Sequence, residues 1–145
     1  MKIVLATDHA GFELKERIKE NLLSQNFEVK DFGALDYDAL DDYPDFIIPA
    51  AKFISKNSSY LGIILGGSGQ GEAMAANRIK GVRAAVYYNG PKDIVQLSRQ
   101  HNNANILSIG ARFLSLEEAM DTINLWLGTD FEGDRHQRRI EKLDR

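Results

Sequence analysis

Short β-branched runs alternate with amphipathic segments along the whole chain, and this alternation limits the fold more than any other feature. Lys2–Ala6 is an apolar run ended by polar residues, which predicts a buried strand. After it, Leu14, Ile18 and Leu22 recur at i, i+4 and i+8, predicting an amphipathic helix over Glu13–Leu23. The same reading places strands at Phe27–Phe32, Leu61–Leu65, Val82–Tyr87 and Ile106–Ile109. Helices fall near Phe46–Ile54, Glu72–Ile79, Asp93–Arg99 and Leu116–Leu127, and a basic helix closes the chain at about 133–143. Units repeating every ~25 residues imply right-handed βαβ crossovers. The predicted fold is α/β: a three-layer α/β/α sandwich with a five-stranded parallel sheet, Rossmann-like, in one domain over residues 1–145. In such folds ligands collect beyond the carboxyl ends of the strands. That singles out Asp8-His9, the glycines after the third strand, Tyr88-Asn89 and Arg112.

Composition removes several classes of function. A net charge of −3 gives no broad surface for neutralising nucleic-acid phosphates, although a local cluster could hold one small anion. The absence of cysteine excludes disulfides, thiolate metal sites and a thiol base. No stretch approaches 18 apolar residues, and the initial apolar run is too short for a signal sequence. The expected compartment is therefore the cytoplasm.

Glycines stand at 62, 66, 67, 69 and 71, around the end of the third strand. A strand–glycine loop–helix segment turns free amides toward one spot, with the helix dipole favouring negative charge there. Either a bound phosphate or an oxyanion formed during reaction fits such a nest. No Gly-Lys-Ser/Thr closes the segment, and Gly67-Ser68-Gly69-Gln70-Gly71 does not have the dinucleotide spacing. Glu72 opens the next helix. It is either a solvated acid favoured by the dipole or a base for moving a proton alpha to a carbonyl. The helix end lowers its pKa and burial raises it, and the sequence leaves that contest open.

The three histidines, His9, His101 and His136, all lie among polar residues, away from apolar helix faces. None has His-x-His or His-x-x-x-His spacing, so no metal site is expected. Arg135, Arg138 and Arg139 with His136 form the densest cationic cluster. Arg135 and Arg139 share a helix face and suit bidentate phosphate capture. A tail of this kind could reach a neighbouring subunit's site, which would make the protein an obligatory homodimer.

Four motifs, in order, resemble the ribose-5-phosphate isomerase B family and the related galactose-6-phosphate isomerase subunits. They are Asp8-His9-Ala10-Gly11; Gly67-Ser68-Gly69-Gln70-Gly71-Glu72-Ala73 with Ala75-Ala76-Asn77; Leu97-Ser98-Arg99-Gln100-His101-Asn102; and Trp126-Leu127-Gly128 with Glu132-Gly133, Arg135-His136 and Arg139. The resemblance implies aldose–ketose isomerisation of ribose 5-phosphate through a cis-enediol, without metal or organic cofactor. It implies that His101 and Asp8 open the sugar ring. The amides around Gly67, Gly69, Gln70 and Gly71, helped by Asn102, would hold the enediolate, with Ser68 helping to move protons. His9, Arg112, Arg135 and Arg139, with His136 nearby, would hold the phosphate. The family's sites form between two subunits, implying a homodimer or a dimer of dimers.

Many members carry a cysteine base where this chain has Gly66, which points to Glu72 as the base here. A six-carbon sugar phosphate, allose or galactose 6-phosphate, is the alternative substrate, with loop Asp36–Asp42 as a wall of the pocket. A non-catalytic phosphate- or nucleotide-binding module is the reading from a different class. It would keep the glycine loop without needing Glu72 or His101.

Overall fold

The computed structural model describes all 145 residues. Five strands, β1 (Lys2–Thr7), β2 (Glu28–Asp31), β3 (Tyr60–Gly66), β4 (Ala84–Tyr87) and β5 (Ile106–Gly110), form one sheet in the order β2-β1-β3-β5-β4. Every pairing is parallel. The helices are α1 (Phe12–Ser24), α2 (Pro44–Lys56), α3 (Gln70–Ala76), α4 (Asp93–Gln100), α5 (Leu116–Leu127) and α6 (Arg135–Glu141). No helix is long and apolar enough to cross a membrane.

Right-handed crossovers explain the layering. The steps β1→β2 and β4→β5 run one way across the sheet, while β2→β3 and β3→β4 run the other. A fixed hand then places α1 and α4 on one face and α2 and α3 on the other. The core follows this division. Ile3 and Leu5 pack with Ile18, Leu22, Val95, Ile123 and Trp126, whereas Val4 and Ala6 pack with Ile47, Ala50, Ala51 and Ile54. Alternate residues of one strand thus serve opposite layers, and strands buried on both faces read as continuous apolar runs.

The α1 face differs from the sequence pattern. Lys15 is fully buried beside Ile18 and Leu22, while Leu14 is only partly covered. Its ammonium donates to Asp31 Oδ2 and to the Ala34 carbonyl, both at 2.7 Å, and pairs with Glu16 at 2.9 Å. A periodicity argument counts Lys as polar and cannot see a partner waiting under the helix. The pair anchors the end of β2, from which the loop toward α2 departs.

Candidate active site

The chain reverses direction across the sheet between β1 and β3, and the crevice at such a switch point is where α/β folds take ligands. Thr7 Oγ1 donates to the Leu65 carbonyl at 2.9 Å and ties the two strand ends together. Asp8 follows, buried, and its Oδ1 accepts from the Ala10 amide at 3.0 Å to cap a short 3-10 turn. His9 is half-buried, with Nδ1 2.7 Å from Asp41 Oδ1. It lines a cavity of about 490 Å³ with Ala10, Phe12, Glu13, Tyr37 and Arg112.

Across the crevice, the glycine loop is pinned to β5. The Gly69 carbonyl accepts from Ser108 Oγ at 2.6 Å, and the Gly67 carbonyl accepts from the Arg112 amide at 3.1 Å. Gly69 has φ +80°, a conformation costly for any residue with a Cβ. The amides of Gly67, Ser68 and Gly69 have no acceptor within the chain. Ser68 Oγ accepts from the Gln70 amide at 3.3 Å.

Glu72 is only 4% exposed, and its carboxylate folds back over Gly66. Any Cβ at position 66 would collide with that carboxylate, so the glycine is what admits the acid. Burial raises the Glu72 pKa, the negative charge of Asp8 adds to this, and a hydrogen bond from its own amide opposes it. Burial therefore wins the contest that the sequence left open. An acid raised in this way at a ligand crevice suits proton transfer.

The remaining predicted residues lie elsewhere. Helix α4 starts beyond the carboxyl end of β4 and runs back, so His101 and Asn102 sit at the amino edge of the sheet. The five residues of β5 separate the two edges by roughly 15 Å. There the His101 and His136 rings stack at 4.2 Å, and Arg139 Nη1 approaches His136 Nδ1 at 3.4 Å. These three, with Asn102, Ile140 and Leu143, line a second cavity of about 220 Å³. Arg135 opens α6 and is exposed.

The sequence treats His136 as part of a polar tail, but its side chain is buried and Nε2 has no partner. Burial lowers its pKa, with Arg135, His101 and Arg139 adding to the effect. Asp8 and His101, paired by the resemblance, are not neighbours within one chain.

Two clusters bring three metal-type donors within 4.8 Å: Asp8-His9-Asp41 and His101-Glu132-His136. In the first, the 2.7 Å contact is a direct hydrogen bond, whereas donors sharing a tetrahedral ion at ~2.0–2.1 Å stand about 3.3 Å apart. In the second, the rings stack within 15° of parallel, so their in-plane lone pairs do not converge. Neither arrangement fits an ion. Asp41, Tyr37 and Tyr43 escaped the sequence reading as individual site residues. Asp41 is one of four aspartates in the run 36–42, and only its contact with His9 sets it apart. Tyr43 is marked only by its ring, which lies 2.8 Å from where a Cβ on Gly71 would be.

Fold and crevice together define an α/β protein with a buried carboxylate beside a glycine loop at the switch point of its sheet. Residues 3–143 match the Ribose/Galactose Isomerase family model, and the chain belongs to that family. It is 44% identical to ribose-5-phosphate isomerase B of Mycobacterium tuberculosis over 144 residues, covering 99% of this chain and 88% of that one. The Escherichia coli enzyme of the same name is 39% identical over 142 residues, covering 98% and 93%. The crystal structure of ribose-5-phosphate isomerase B from Mycoplasma genitalium, with bound ribulose 5-phosphate, superposes with a TM-score of 0.92 at 44% identity, covering 98% of this chain and 93% of that one.

Proposed function

We propose that the protein interconverts ribose 5-phosphate and ribulose 5-phosphate through a cis-enediol, with Glu72 as the base. The observation that carries this is the buried Glu72 carboxylate lying over Gly66, beside three amides with no internal acceptor. In the open-chain aldose, the carboxylate takes the proton from C2 as the C1 carbonyl oxygen gains charge. The loop amides hold that oxygen, and Ser68 relays the hydroxyl proton. Glu72 then returns the proton to C1 while C2–O becomes the carbonyl. His9 and Arg112 hold the phosphate in the larger cavity. Asp8 is joined by His101 of the partner subunit for ring opening, with Asn102, Arg135, His136 and Arg139 entering from the same side. A chain whose two half-sites lie on opposite edges of its sheet completes them in a homodimer or a dimer of dimers.

Purified protein given ribose 5-phosphate, allose 6-phosphate and galactose 6-phosphate in parallel tests the substrate. Turnover is expected to favour the pentose, and a higher kcat/KM for either hexose would reassign it. For Arg139→Ala, KM should rise about tenfold to a hundredfold, the loss of one charge-assisted hydrogen bond of ~1.5–3 kcal/mol. An unchanged KM places that arginine outside the site.

A further inference from the structure

The loop between β2 and α2 contributes one side chain whose role is still open. Asp41 Oδ1 accepts from both the backbone amide of His9, at 2.9 Å, and its Nδ1, at 2.7 Å. The side chain is 9% exposed, and its other oxygen, Oδ2, is buried with no partner. A carboxylate withdrawn from water with one oxygen unpaired is costly unless a full positive charge compensates it. The side chain bonded to it is the His9 imidazole. A neutral ring offers Asp41 only a dipole, whereas an imidazolium offers a charge.

The surroundings of the ring point the same way. Asp8 precedes it, Asp41 faces it from the loop, Glu13 of α1 shares its cavity, and Arg112 approaches from beyond β5. Tyr37 meets the ring edge-on, with centroids 6.3 Å apart. The bond to Asp41 is the largest influence and raises the His9 pKa, burial opposes it, Asp8 adds to the rise, and Arg112 subtracts. Because Nδ1 is committed to Asp41, Nε2 is the ring nitrogen left for a ligand. In a neutral ring protonated at Nδ1, Nε2 is an acceptor and repels a phosphate oxygen; only the imidazolium donates from both nitrogens.

We propose that Asp41 is a positioning residue for phosphate capture: it fixes the His9 ring through Nδ1 and keeps it an imidazolium, so that Nε2–H stays a donor to the phosphate through neutral pH. This rests on the reading of His9 as a phosphate ligand.

Asp41→Asn keeps an acceptor oxygen for both His9 donors and removes only the charge. The ratio of variant to wild-type KM for ribose 5-phosphate should be about twofold at pH 6 and about tenfold at pH 8.5, with kcat changed less than about twofold. Asp41→Glu, which retains the charge, should hold that ratio nearly constant across the same range. Imidazole NMR titration of the ligand-free protein, with the His9 signal assigned through His9→Gln, should show its midpoint falling in Asp41→Asn. A wild-type His9 midpoint at or below the ordinary 6.5 overturns the proposal without any variant. An unaltered midpoint in Asp41→Asn does the same. A lowered midpoint with a pH-independent KM ratio overturns it through its premise, because the pairing then stands while His9 does not bind phosphate.

Discussion

Glu72→Gln should lower kcat for ribose 5-phosphate by about 10²–10⁴-fold while KM changes by less than about twofold. Glutamine matches glutamate in shape, so it can occupy the space over Gly66, but it cannot accept a proton from carbon. In the wild-type protein, kcat/KM should fall on the acid side as Glu72 becomes protonated. Because burial raises this group, that limb should lie above the ordinary carboxylate value of 4.5. In Glu72→Gln the limb should vanish from the residual activity.

Stability should move the opposite way. The folded state binds the Glu72 proton more tightly than the unfolded state, so stability falls as pH rises from the unfolded pKa through the raised one. At neutral pH the buried charge is a net cost, and Glu72→Gln should melt at a higher temperature than wild type. Gly66→Ala supplies the geometric control, since its methyl group displaces the carboxylate while leaving the residue itself present. Its loss of kcat should approach that of Glu72→Gln. Wild-type turnover in either variant removes Glu72 from the chemistry.

Mixing two inactive variants should restore activity, the second large effect. On the proposed assignment, Glu72→Gln should disable the carboxyl-edge half of a site and His101→Asn the amino-edge half. These groups stand at opposite edges of the sheet, roughly 15 Å apart along β5. If each site draws one half from each subunit, a heterodimer carries one doubly damaged site and one intact site. Equal amounts, unfolded and refolded together, give half heterodimers and therefore about a quarter of wild-type activity. Sites contained within one chain would give heterodimers with no intact site and no recovery. Tenfold or greater recovery over either parent is the expected reading.

The strand and helix pattern was legible because each element carries its own periodicity. Leu116–Leu127 agrees with the sequence reading at both ends, helped by the Ser115–Glu118 capping box. Elements bounded by weaker signals shifted. Helix α3 starts two residues early, at Gln70, and stops at Ala76, ahead of the predicted Ile79, while β4 starts at Ala84 instead of Val82. Four motifs spread over the chain were enough to indicate a family that the comparisons then established.

What the sequence could not hold was whatever depends on two distant segments meeting. Lys15 is buried where Asp31 and the Ala34 carbonyl lie beneath α1 to pair with it, and the buried His136 ring stacks on His101, 35 positions away. Asp41 stands out from its acidic neighbours through contact with His9, 32 positions away. By itself the sequence determined the alternation, and with it the parallel sheet and the loops at its carboxyl edge, since these follow from local pattern and the hand of the crossover. Tertiary structure decided which side chains face one another: the Glu72 carboxylate over Gly66, the Asp41–His9 pair, and the grouping of His101, His136 and Arg139 at the opposite edge of the sheet. Burial and proximity set the charge states in these groups, and both arise only once the chain has packed.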